Sequence, residues 1–157
     1  MKPEQFIREY RVEKARELVN DPLHPQMTHV SDDGRHWVNE AFNYIPEIQA
    51  QIKGMIRLDE LKRLVESVDR YSKFANKQEA LDAINNAPEG ATDYRKLSCG
   101  TRYIKQGPRF YEYWNGSEWL RPTVPLTDET HILRFDKLSD LKQAIADYES
   151  IYGEGNG

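Results

Sequence analysis

A single cysteine, Cys99, cannot close an internal disulfide, so nothing covalent staples this chain and a reducing cytoplasm is the expected setting. Long apolar runs are missing too. None approaches the ~20 residues needed to cross a bilayer, so no membrane partner is expected, and with 38% hydrophobic and 31% charged residues the surface is polar. The opening stretch, MKPEQFIREYRVEKARELV, is charged throughout and lacks the apolar centre of a signal peptide, which again points to the cytoplasm. Basic excess is absent as well. A net charge of −4 argues against a globally basic nucleic-acid binder and is too mild for a whole-protein mimic of DNA.

The familiar catalytic signatures are also lacking. There is no Gly-x-Ser-x-Gly elbow, no Walker loop, no dinucleotide fingerprint and no His-Glu-x-x-His. The run Asp32-Asp33-Gly34 has neither the spaced acids nor the closing Glu of a calcium loop and reads as a tight turn. Of the four histidines, His29 and His36 fall on one face of that hairpin, short of the ligand count of a metal site. Cys99 sits in a cationic stretch without an identifiable His partner. The expectation is a non-enzymatic protein with no catalytic residues, no metal and no cofactor.

What is present is an internal echo. ELVNDPLHPQMTHV (17–30) and DAINNAPEGATDY (82–94) share an order: a helix end, an Asn, a turn with Pro, a Thr and a strand-like start. Asn20 aligns with Asn85 and Thr28 with Thr92. Each half then closes with an amphipathic helix, RLDELKRLVESVDRY (57–71) and KLSDLKQAIADYESIY (137–152). Leu58, Leu61, Leu64, Val65 and Val68 share one face of the first; Leu138, Leu141, Ala144, Ile145 and Tyr148 share one face of the second. The net charge divides evenly between residues 1–70 and 71–157. The predicted fold is therefore α+β: two pseudo-repeated units, 1–71 and 72–157, each a small antiparallel sheet or hairpin with flanking helices. Residues 153–157, GEGNG, are expected to be a disordered tail. The connecting RYSKFANKQ has no Gly or Pro, which favours close packing of the units.

The second unit is the longer one and carries YEYWNGSEWLRP (111–122), four aromatics around Asn115-Gly116. A two-residue turn sets Trp114 against Ser117. A four-residue loop sets Trp114 against Trp119 and Glu112 against Arg121, and the second register is preferred for its ring pair and its charge pair. Alternation puts Phe110, Glu112 and Trp114 on one face and Tyr111 and Tyr113 on the other. HILRF (131–135) adds an edge strand. Just upstream, YRKLSCGTRYIKQGPRF (94–110) contains Arg95, Lys96, Arg102, Lys105 and Arg109 and no acid, whereas the last helix is acidic. Aromatics beside cations suit a partner-binding surface, here Arg102, Tyr103, Lys105, Arg109, Tyr111, Tyr113, Trp114 and Trp119. The alternative is nucleic acid, with cations following phosphates and rings stacking on bases.

The entry APEGATDY, the hairpin RFYEYWNGSEWL and the closing LSDLKQAIADYES, with the opening MKPEQFIREYRVEKARELV and its turn into THV, resemble small accessory proteins of phages and prophages. In the first half LHPQMTHV replaces the Gly-containing entry. The resemblance implies an interaction protein that binds and inhibits a host protein or ribonucleoprotein complex, of the anti-defence, anti-CRISPR-like class. It assigns no residue a catalytic role.

Overall fold

The computed structural model describes residues 1–42, 44–108, 110–121 and 135–153. The expected strand HILRF falls almost wholly outside the described residues, as do four of the five tail residues. Within them the chain is α+β, with five helices and two antiparallel sheets. No helix of the described residues is long and apolar enough to cross a membrane.

Helix α1 (Pro3–Val19) opens on Pro3, whose missing N–H is one of the donors a first turn leaves unpaired anyway. It breaks at Arg11, the one non-glycine residue described with positive φ (75°, ψ 160°). That combination suits glycine almost alone. Arg11→Gly should therefore raise stability by about 1 kcal/mol; an unchanged or lower urea midpoint would show that the break carries no strain.

Strands β1 (His29–Val30) and β2 (Trp37–Val38) form the first hairpin across Asp33-Gly34, where Gly34 supplies φ of 75°. Helix α2 (Pro46–Ile52) again begins on a proline. Residues 44 and 45 run irregularly into the helix. A two-residue strand, β3 (Ile56–Arg57), pairs with the free side of β1 and leads directly into α3 (Leu58–Tyr71). Two residues carry no readable alternation, so β3 is invisible to pattern analysis.

Helix α4 (Lys77–Asn85) is capped by Asn76, whose side chain accepts from the Glu79 amide, while Glu79 reaches back to the amide of Ala75. Strands β4 (Asp93–Leu97) and β5 (Gly100–Gln106) join through Ser98-Cys99, and β6 (Tyr111–Trp114) and β7 (Trp119–Leu120) extend the sheet on one side. On the other side β8 (Asp136–Lys137) pairs with Asp93 and Tyr94 and runs into α5 (Leu138–Tyr152). The sheet orders are β2-β1-β3 and β7-β6-β5-β4-β8.

The same hydrogen bonds recur in both sheets. The Thr28 amide donates to the Val38 carbonyl, its carbonyl accepts from the Leu58 amide, and its hydroxyl accepts from the Glu40 amide. Thr92 does the same with Ile104, Leu138 and Gln106. At the helix ends Asn20 and Asn86 each donate the backbone amide to the carbonyl four residues back, Arg16 and Asp82.

Two apolar cores result, and each borrows from the other half. Phe6, Ile7, Leu18, Val30, Ile56, Leu61 and Leu64 form the first, joined by Ile151 from the end of α5. Phe74, Ala80, Tyr94, Tyr103, Leu141 and Ile145 form the second, joined by Tyr71 from the end of α3. Arg8 of α1 donates to the carbonyls of Ile151 and Ser150, placing a cation at the negative end of α5. Where α3 and α5 meet, Asp147 accepts from Ser67 (2.6 Å), Arg63 (2.5 Å) and Gln143 (2.9 Å), and Tyr71 stacks on Tyr148.

Candidate functional site

Alternation along the five-stranded sheet separates the sequence candidates. The register Tyr94↔Tyr103, Ile104↔Tyr113 and Trp114↔Trp119 puts Tyr94, Tyr103, Lys105, Trp114 and Trp119 on the face that packs against the helices. Arg95, Arg102, Tyr111 and Tyr113 share the opposite face.

The four-residue loop holds. Trp114 lies opposite Trp119, and the Asn115 side chain accepts from the amides of Ser117 and Glu118. The indoles meet edge to face at 5.2 Å and pack, half-buried, on the second core. Trp119 also donates Nε1–H to the Glu89 carbonyl. Glu112 and Arg121 form no ion pair; the Arg121 guanidinium lies over the Phe110 ring instead, 3.8 Å from its centroid. Lys105 is likewise turned to the helix side, its ammonium over the Trp119 ring.

Tyr103 is 6% exposed and donates its hydroxyl to the Ala83 carbonyl at the end of α4. It is a core residue, and desolvation pushes its phenol pKa up. Arg109 lies outside the described residues. Thus Arg102, Tyr111 and Tyr113 remain together on one face, with Arg102 exposed and Tyr113 39% exposed. That face is not bare throughout: Asp93 and Ile104 upon it are buried.

Arg95 joins them. It stands directly opposite Arg102 in the β4–β5 ladder, and neither guanidinium has an ion-pair partner among the described residues. Like charges directly opposed cost stability. Tyr113 sits diagonally from Arg102 through its pairing with Ile104. The signal was readable: with Ser98-Cys99 as a two-residue turn, Leu97 meets Gly100 and Arg95 must meet Arg102. Of the other described cations of the basic stretch, Lys96 is engaged with Glu79 and the Lys73 carbonyl, and Lys105 with the Trp119 ring.

The remaining perturbed groups have structural causes. Asp33 is held below its usual range by the Ser31 hydroxyl and the Arg35 amide inside the first turn. Arg57 lowers Asp59 at the start of α3, and Lys96 lowers Glu79. Among the described residues no group of three His, Cys, Asp or Glu converges as metal ligands. His29 is buried beside the Thr28 hydroxyl, and His36 is exposed at the hairpin end.

Comparison with known proteins finds no matching family model, no matching curated protein and no matching solved structure.

Proposed function

We propose that this is a non-enzymatic interaction protein that docks on an acidic surface of a host macromolecular complex in the cytoplasm and inhibits it by occupancy. The observation that carries the reading is the Arg95–Arg102 opposition without a counter-charge among the described residues. Its unfavourable energy is relieved by a partner's carboxylates or phosphates, and Tyr113 adds rigid contact area beside it. The phage-like sequence resemblance supports the inhibitory role. That the shifted carboxylates belong to turns, helix starts and ion pairs supports a binding role over a catalytic one.

Arg102→Glu should weaken partner capture about tenfold and Tyr113→Ala somewhat less, with circular dichroism unchanged because both side chains are exposed. Pull-down from host cytosol with each variant checks this; capture as strong as wild type by both would remove the surface. Nucleic acid is the second reading, favoured by the same arginine pair beside a tyrosine. Binding to phosphates would fall steeply between about 50 and 200 mM salt, and indifference to DNA and RNA at low salt eliminates it.

The scaffold itself reads as two copies of one unit fused about a pseudo-two-fold axis. Thr28 and Thr92, Val38 and Ile104, and Leu58 and Leu138 occupy matching hydrogen-bond positions. Ser67 and Asp147 lie equally far along α3 and α5 and bond to each other. Matching residues that touch belong on a two-fold axis. The second copy then differs by its added strands β6 and β7 and its longer β4–β5 hairpin, where the arginine pair sits.

A further inference from the structure

A cleft of about 580 Å³ opens between the end of α3 and strand β4, within the range of small-molecule sites. Phe74 and Tyr94 line its inner part, and Lys73, Arg95 and Lys96 contribute three cations against a single carboxylate, Asp136. That carboxylate is shared at 3.5 Å by Lys73 and at 3.7 Å by Arg70, both long contacts, so a competing anion displaces little. Lys96 is held in place by Glu79 and the Lys73 carbonyl; its ammonium also stands over the Phe74 ring. Arg95 has no ion pair among the described residues.

One further group fits none of the fold's needs. Tyr94 is 1% exposed, yet its hydroxyl has no hydrogen-bond partner among the described residues. A buried hydroxyl left unpaired costs stability, and nothing in the second core requires it, since a phenylalanine would fill the same space. Burial, with Asp136 adding, pushes the phenol well above its ordinary range, so it stays a donor at any physiological pH.

We infer that this cleft binds a phosphate monoester. Tyr94 donates to a phosphate oxygen, Lys73 and Arg95 neutralise the charge, and the Phe74 and Leu97 side chains pack on the organic substituent. A phosphate monoester carries close to two negative charges at neutral pH, matching the surplus of cations; a carboxylate carries one. The assignment shares Arg95 with the docking reading, but its test residues, Tyr94 and Lys73, are not those that test docking.

The experiment is calorimetric titration of the full chain with phenyl phosphate, inorganic phosphate and benzoate, with thermal unfolding alongside. Phenyl phosphate should bind best, and benzoate at least about tenfold more weakly because it offers a single charge. Tyr94→Phe should weaken phenyl phosphate about tenfold while leaving the melting temperature unchanged or higher, since an unpaired hydroxyl is removed. Lys73→Gln should weaken it comparably. Lys14→Gln, which removes a cation from the exposed face of α1, should leave it unaltered. No binding of either phosphate at millimolar concentration, or binding that survives both Tyr94→Phe and Lys73→Gln, overturns the assignment.

Discussion

Replacing Asp147 by alanine is expected to lower the unfolding free energy by about 3 kcal/mol. The carboxylate is 5% exposed and accepts three hydrogen bonds, one from its own helix (Gln143) and two from α3 (Arg63 and Ser67). Burial alone would raise its pKa; the bonds from Ser67, Arg63 and Gln143 outweigh that and hold it below the ordinary aspartate value. The sign follows directly. A depressed folded pKa contributes stability that is complete above the unfolded value of about 3.9 and vanishes as pH falls through the folded one. Urea midpoints of wild type and Asp147→Ala should therefore converge in acid and separate at neutrality. A constant gap would show that packing, not charge, sets the loss.

The same site tests the fused-dimer reading. Ser67→Asp alone opposes two buried carboxylates and should cost a similar amount. The exchange Ser67→Asp with Asp147→Ser should recover stability to within about 1 kcal/mol of wild type. Under a two-fold relation Arg63 and Gln143 simply swap roles, one donating along its helix and the other across. If the double variant instead loses the sum of the single losses, positions 67 and 147 are not equivalent.

The second large effect concerns the indoles. Trp119→Ala should cost about 3 kcal/mol, the low end for a large aromatic because the ring is only half-buried. It removes the edge-to-face pair with Trp114, the ring beneath the Lys105 ammonium and the donor to the Glu89 carbonyl. Loss of partner binding in this variant would thus report unfolding, which is why Arg102 and Tyr113 are the proper probes. Unaltered denaturation together with lost binding would return the indoles to the contact surface.

Much of this architecture was legible in local chemistry. Asp33-Gly34 and Asn115-Gly116 marked hairpins because glycine tolerates the positive φ both turns need. The preference for Trp114 opposite Trp119 was correct because a ring pair outweighs the alternative register. The closing helices showed their faces through spacing alone, Leu61 and Leu64 in one and Leu141 and Ile145 in the other. The two-residue strands β3 and β8 were missed, since pairing partners define them and no periodicity does. Which of the two ring-bearing faces is covered was not legible for a related reason. Alternation says that Tyr103 and Trp114 share a side, but only the position of α4 says which side is covered.

The sequence by itself determined the elements: helix starts at Pro3, Pro46 and Asn76, hairpin turns at glycine, and amphipathic faces on α3 and α5, all fixed by interactions within a few residues. Tertiary structure alone decided what those elements meet. It buried Tyr103 against Ala83, placed Ile151 and Tyr71 in each other's cores and set Ser67 against Asp147, 80 residues away. Contacts of that span depend on how whole faces pack, and no local pattern of residues encodes which face finds which.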